Sequence, residues 1–121
     1  MTEKPLILAV DRNRHNLKLM TKYLGHEGFK TLGVSSIEEL DQAIETSEGV
    51  SLALIDLSGF DQGIWDRCDE LNRAHIPFLV ISSQRSSSLQ QDSLKHGARG
   101  LLLKPLEIRE LIGYTRTVLG E

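Results

Sequence analysis

Five short apolar runs alternate along this chain with longer segments whose apolar residues recur every three or four positions. The runs Leu6–Val10, Lys30–Gly33, Leu52–Asp56, Phe78–Ser82 and Gly100–Leu103 read as strands. The segments between them read as helices over Arg14–His26, Ile37–Ser47, Gly63–Ala74, Ser87–His96 and Glu107–Leu119. Their apolar stripes include Leu17, Met20 and Leu24; Ile37, Leu40 and Ile44; Ile64, Cys68 and Leu71; and Ile108, Leu111 and Ile112. The punctuation agrees: Ser36 precedes Glu38 and Glu39 at a helix start, Gly28 and Gly97 follow helix ends, and Pro105 precedes the last helix.

Strict alternation of strand and helix predicts right-handed crossovers and a parallel sheet covered on both faces, an α/β doubly wound fold with five strands and five helices. Three runs are apolar throughout, as strands buried on both sides should be. Lys30-Thr-Leu-Gly33 is weaker and is expected at a sheet edge. There is no internal repeat, linker or heptad, and the serine-rich stretch Ser82–Ser88 reads as a loop entering a helix. A chain of 121 residues fits a single domain over 1–121.

Composition narrows the functional classes. Apolar content of 40% and charged content of 26% are ordinary for a globular protein, and a formal net charge of −3 gives no electrostatic case for nucleic acid or an anionic membrane. No apolar run approaches the roughly 20 residues of a membrane span. The start, Met-Thr-Glu-Lys-Pro, lacks a signal-peptide core. Cys68 is the only cysteine, so no internal disulfide is available and a cytoplasmic setting is expected. Cys68 itself reads as a small packed hydrophobe. Trp65, one position off its helix's core stripe, reads as half exposed. His15, His26, His75 and His96 have no metal-ligand spacing among themselves.

Chemistry concentrates at the strand ends. Four runs finish in reactive or charged side chains: Asp11, Asp56, Ser82 with Ser83, and Lys104 before Pro105. An acid directly after four apolar residues is costly to desolvate and is usually paired or used. In an open parallel α/β sheet the site lies outside the carboxyl ends of the strands, where all four groups fall. Two carboxylates, a hydroxyl and an ammonium suit a transferred phosphoryl group, and a hard divalent cation would normally complete such a set.

In these parts and in their order the whole chain resembles the receiver domain of response regulators, in the mould of the single-domain chemotaxis regulators. The likeness rests on the strands ending in Asp11 and Asp56, on Pro77-Phe-Leu-Val-Ile-Ser82, and on Gly97-Ala-Arg-Gly-Leu-Leu-Leu-Lys104-Pro105. Asp11-Arg-Asn13-Arg-His-Asn16-Leu is similar to the opening motif of such domains. The resemblance implies a flavodoxin-like sheet of order 2-1-3-4-5. It also implies a phosphoacceptor at Asp56, a switch hydroxyl at Ser82 beside Ser83, and a phosphate-pairing Lys104. Asp11, Asp56 and the Ser58 backbone carbonyl would hold Mg²⁺, and the Lys104–Pro105 bond is often cis in the family. The implied partners are a histidine kinase or phosphotransfer protein and a downstream effector protein or domain, with neither nucleic acid nor membrane bound by this domain.

Three positions depart from the family pattern. Arg12 stands where a second acid, the main carboxylate ligand of Mg²⁺, is usual. The swing is two charge units, each worth up to about 4 kcal/mol at an effective dielectric near 20, so Mg²⁺ affinity is expected to be low. The guanidinium can instead reach Asp56 or a phosphoryl on it, or turn to solvent and leave a gap in the ligand set. The loop Leu57-Ser-Gly-Phe-Asp-Gln-Gly63 is one residue short of the family pattern and lacks its proline, and Gly59 makes it pliable. Asp61 reads there as a turn aspartate. Leu101 occupies the position of an aromatic switch residue and has no hydroxyl to swing.

The leading reading is therefore a two-component receiver domain, not an enzyme, with a weakened metal site. A pseudo-receiver that binds partners without phosphorylation is the alternative. A phosphatase with Asp56 as nucleophile would want a second Asp two residues on, where this chain has Ser58. A dinucleotide site would want Gly-x-Gly-x-x-Gly after the first strand, where Asp-Arg-Asn-Arg stands. The fourth helix, fifth strand and fifth helix would offer partners a mixed face of Gln90, Gln91, Lys95, Arg99, Arg109 and Tyr114. The end, Val118-Leu-Gly-Glu121, suits either a single-domain protein or the receiver end of a longer one.

Overall fold

The structure, a computed structural model, describes residues 4–46 and 49–120. Every predicted element is present. The strands are β1 (Leu6–Val10), β2 (Lys30–Val34), β3 (Val50–Asp56), β4 (Phe78–Ser82) and β5 (Leu101–Leu103). The helices are α1 (Arg14–His26), α2 (Ile37–Glu45), α3 (Gly63–Arg73), α4 (Ser87–Lys95) and α5 (Ile108–Leu119). The expected last residue of α2, Ser47, lies outside the described residues. β3 begins two residues earlier than its apolar run because Val50 pairs with Leu6, a partner that local patterning cannot reveal.

All pairings are parallel, in the order β2-β1-β3-β4-β5, with β2 at one edge as its weak pattern required. Alternation along the strands sorts the core into two layers. On one face Leu8, Val10, Ala53, Ile55, Phe78 and Val80 meet α2 and α3 through Leu40, Ile64, Cys68 and Leu71. On the other, Ile7, Ala9, Leu52, Leu54, Leu79 and Ile81 meet α1 and α5 through Met20, Leu24, Leu111 and Ile112. Burial pushes the Cys68 thiol up to about 12, so it is a packed thiol and not a nucleophile.

Trp65 is the one aromatic whose environment differs from expectation: it is buried, at 9% exposure. Its ring stacks on His96 with centroids 4.9 Å apart, and the His96 Nδ1 lies 2.6 Å from Asp69 Oδ1. The end of α4 thus covers the outer edge of the α3 stripe. Such cover comes from a segment about thirty residues away and leaves no trace in the periodicity of α3.

Three helices end in the same hydrogen-bonded form, with the residue after the cap in the left-handed region. α1 uses Gly28 and α4 uses Gly97, whereas α3 uses His75 at φ 61°. Ile76 N–H to Leu71 O, at 2.9 Å, closes that α3 turn. Left-handed backbone costs a residue with a Cβ about 1–2 kcal/mol, and glycine adds about 0.4–1 kcal/mol of unfolded-state entropy. His75→Gly is therefore expected to stabilise the domain by up to about 1 kcal/mol. A higher urea midpoint at unchanged m-value would register it, and an unchanged or lower midpoint would refute it.

Candidate functional site

Strand register brings the charged ends together. Val10 pairs with Ile55, so Asp11 comes level with Asp56 at the carboxyl edge. Asp56 pairs with Ile81 and Ser82 with Leu103, so Ser82 and Lys104 follow on the next two strands. Asp11, Asp56 and Ser82 are buried, at 2%, 1% and 3% exposure, although all three are polar. Burial on this scale demands partners.

Asp56 has them. Its Oδ1 accepts the Ser58 N–H at 2.9 Å, and its Oδ2 pairs with Lys104 Nζ. Lys104 is held by its own backbone, whose N–H donates to Ser82 O at 2.9 Å, and it precedes a cis peptide bond to Pro105. Ser82 Oγ accepts the Gln84 N–H at 3.0 Å, which leaves its hydroxyl proton free to donate. Ser83 is exposed; with Ser58, Phe60, Trp65 and Ser82 it lines a cleft of about 220 Å³ between the loops after β3 and β4.

Asp11 is less well served. Oδ1 accepts the Asn13 N–H at 2.9 Å, but Oδ2 is buried without a donor. Burial pushes its carboxyl above the usual range and the neighbouring Asp56 charge pushes the same way, outweighing Asn13 and Lys104. A hydrogen bond between the two carboxyls is open only when one of them carries a proton.

The sheet edge therefore carries two buried carboxylates, one ammonium and one free hydroxyl proton. The model of the response regulator receiver domain family matches residues 7–116. The chain belongs to that family. A heme response regulator, HssR, of Staphylococcus saprophyticus is 26% identical over 113 residues, covering 93% of this chain and 50% of its own length. The transcriptional regulatory protein CpxR of Klebsiella pneumoniae is 31% identical over 114 residues, covering 93% and 48% respectively. This receiver domain spans about half the length of those curated relatives. A CheY-like receiver domain protein from Methanospirillum hungatei aligns at a TM-score of 0.87 and 24% identity, over 97% of this chain and 94% of its own. A two-component response regulator from Clostridium difficile aligns at 0.88 and 20%, over 98% of each chain. Both structures share the receiver fold.

Arg12 makes no ion pair with Asp56. Its guanidinium carbon lies 5.8 Å from the Phe60 ring centroid, and it makes no ion pair among the described residues. The side chain runs across Gly59, where an added Cβ would stand 3.3 Å from Arg12 Cβ and Cγ. Gly59 also sits at φ 84° in the turn closed by Phe60 N–H to Leu57 O at 3.2 Å. Its conformation favours glycine, and a side chain there would also crowd the arginine lying on it. Asp61 is the expected turn aspartate, its Oδ1 accepting the Gly63 N–H at 2.9 Å ahead of α3.

Receiver domains typically bind Mg²⁺ at their phosphorylation site. The orphaned Asp11 Oδ2 is an oxygen that a hard cation would satisfy, so the site fits such an ion in part. Arg12 adds no ligand, and no group of three or more His, Cys, Asp or Glu able to hold a metal occurs among the described residues. Leu101 is half-buried against the α3-side core. The polar face expected for partners is exposed, and Leu94 stands on it at 61% exposure; its place in the weak α4 pattern gave no sign of that. No helix among the described residues is long and apolar enough to cross a membrane.

Proposed function

We propose that Asp56 is the phosphoacceptor of this receiver domain, taking a phosphoryl group from a histidine kinase or phosphotransfer protein and so changing how the domain engages an effector. The observation that carries this reading is the buried Asp56 carboxylate, held by the Ser58 N–H on one oxygen and by Lys104 on the other. Those contacts orient an acid that burial alone would make costly.

In the transfer step the Asp56 carboxylate attacks phosphorus and the bond from phosphorus to the donor breaks. Lys104 shifts from the carboxylate to a phosphoryl oxygen, a charge-assisted bond that offsets the added negative charge. Ser82, with its free hydroxyl proton and Ser83 beside it, donates to a second phosphoryl oxygen. A Mg²⁺ ion, when bound, would supply further neutralisation, held weakly by Asp11, Asp56 and the Ser58 carbonyl.

Incubation with acetyl phosphate followed by intact-mass measurement tests the acceptor. The wild-type chain is expected to gain one phosphoryl mass and Asp56→Asn none. A second reading, a phosphorylation-independent binding module, draws support from Arg12 holding the sequence position of the usual second acid while its side chain lies against Phe60. Equal masses for wild type and Asp56→Asn under every condition would decide for it.

A further inference from the structure

We propose that Arg12 is a phosphoryl-binding residue of this site, resting on Phe60 in the unmodified domain and moving onto the phosphoryl group when Asp56 carries one. The inference rests on the acceptor reading of Asp56 and adds to it a built-in cation.

Charge arithmetic motivates it. Asp11, Asp56 and Lys104 leave the buried edge with an excess of one negative charge when both acids are ionised. An acyl phosphate in place of the Asp56 carboxylate raises that excess by up to about one more unit. Lys104 is already committed to this site. Arg12 follows Asp11 directly, is exposed, and has no carboxylate partner among the described residues.

Its resting place makes the move cheap. A surface cation–π contact is weaker than a bidentate charge-assisted bond from a guanidinium to a phosphoryl group, so the phosphoryl wins the competition. The turn on which Arg12 lies, Leu57–Phe60, is hydrogen-bonded to the acceptor through the Ser58 N–H. Departure of Arg12 uncovers Phe60 at the rim of the cleft it shares with Trp65 and Ser82. Phosphorylation would thereby alter this surface without any aromatic at position 101.

The covalent step is balanced without the arginine. With acetyl phosphate, the Asp56 carboxylate attacks phosphorus, the bridging P–O bond breaks and acetate leaves; no proton is consumed. Arg12 binds the phosphoryl oxygens as they pass between donor and acceptor.

The test follows Asp56 phosphorylation by intact mass with acetyl phosphate, in excess chelator and in excess Mg²⁺. The wild type is expected to react in chelator, at a rate that Mg²⁺ raises by less than about threefold. One lost charge-assisted bond corresponds to about 10–100-fold, so Arg12→Ala should slow by that factor in chelator. Arg12→Lys, which keeps the charge but not the planar fork, should recover part of it. Arg12→Asp should react only with Mg²⁺. The Arg12 Nε–Hε resonance should shift on phosphorylation of the wild type. An Arg12→Ala rate in chelator equal to wild type, with an unmoved Arg12 resonance, would overturn the proposal and leave Asp56 as acceptor. Wild-type phosphorylation strictly dependent on Mg²⁺ would do the same. Absence of any Asp56-dependent adduct in all four proteins would overturn both readings.

Discussion

Asp11→Asn is expected to stabilise the domain by about 1–3 kcal/mol at neutral pH, the cost of a buried polar atom left without a partner. Asp11 Oδ2 is such an atom, and it lies beside a second buried carboxylate. Asparagine keeps the acceptor for the Asn13 N–H and places an amide donor where the orphaned oxygen was. It also removes one of two like charges.

The sign with pH follows from the direction of the shift. Burial, and then Asp56, raise the folded-state pKa of Asp11 above its unfolded value, so the protonated form is favoured by folding. The stability it contributes is fully present below the unfolded carboxyl pKa and is lost as pH rises through the raised folded one. The advantage of Asp11→Asn should therefore be largest near neutrality and shrink on acidification. Urea titrations of both proteins at several pH values would measure it. An asparagine variant no more stable than wild type at neutral pH would refute the account.

Phe78→Ala carries the largest expected loss. Phe78 is fully buried on β4, opposite Ala53, within the core layer that α3 covers. The strand is bonded on both sides here, with Arg99 N–H donating to Phe78 O at 2.8 Å and Ala53 N–H to Pro77 O at 2.9 Å, so it has little freedom to close a void. Truncating a buried phenylalanine costs about 3–5 kcal/mol, a large share of the 5–15 kcal/mol typical of a domain. For this chain length that is a fall in Tm of roughly 10–20 °C. Leu94→Ala, at a site with 61% exposure, should change stability by less than about 0.5 kcal/mol. Comparable losses for the two variants would show the burial assignment to be wrong.

The site's two halves were unequally legible. Asp11, Asp56, Ser82 and Lys104 each announce themselves by ending an apolar run, and a parallel sheet delivers all strand ends to one edge. The mutual contact of Asp56 and Lys104 is then a matter of register between β3, β4 and β5. The direction of Arg12 was open. Charge alone allowed it to reach Asp56 or solvent; it is exposed, and packing against Gly59 and Phe60 fixed where it lies.

The sequence by itself determined the ten elements, their alternation, the edge position of β2 and the identity of the polar strand ends, because these follow from periodicity and solvation of neighbouring residues. Tertiary structure alone decided the burial of Trp65 under His96, the left-handed backbone of His75, the orphaned oxygen of Asp11 and the resting place of Arg12. Each of these depends on atoms brought together from separate segments or on backbone geometry imposed by the packed fold, and neither is encoded in any single stretch of chain.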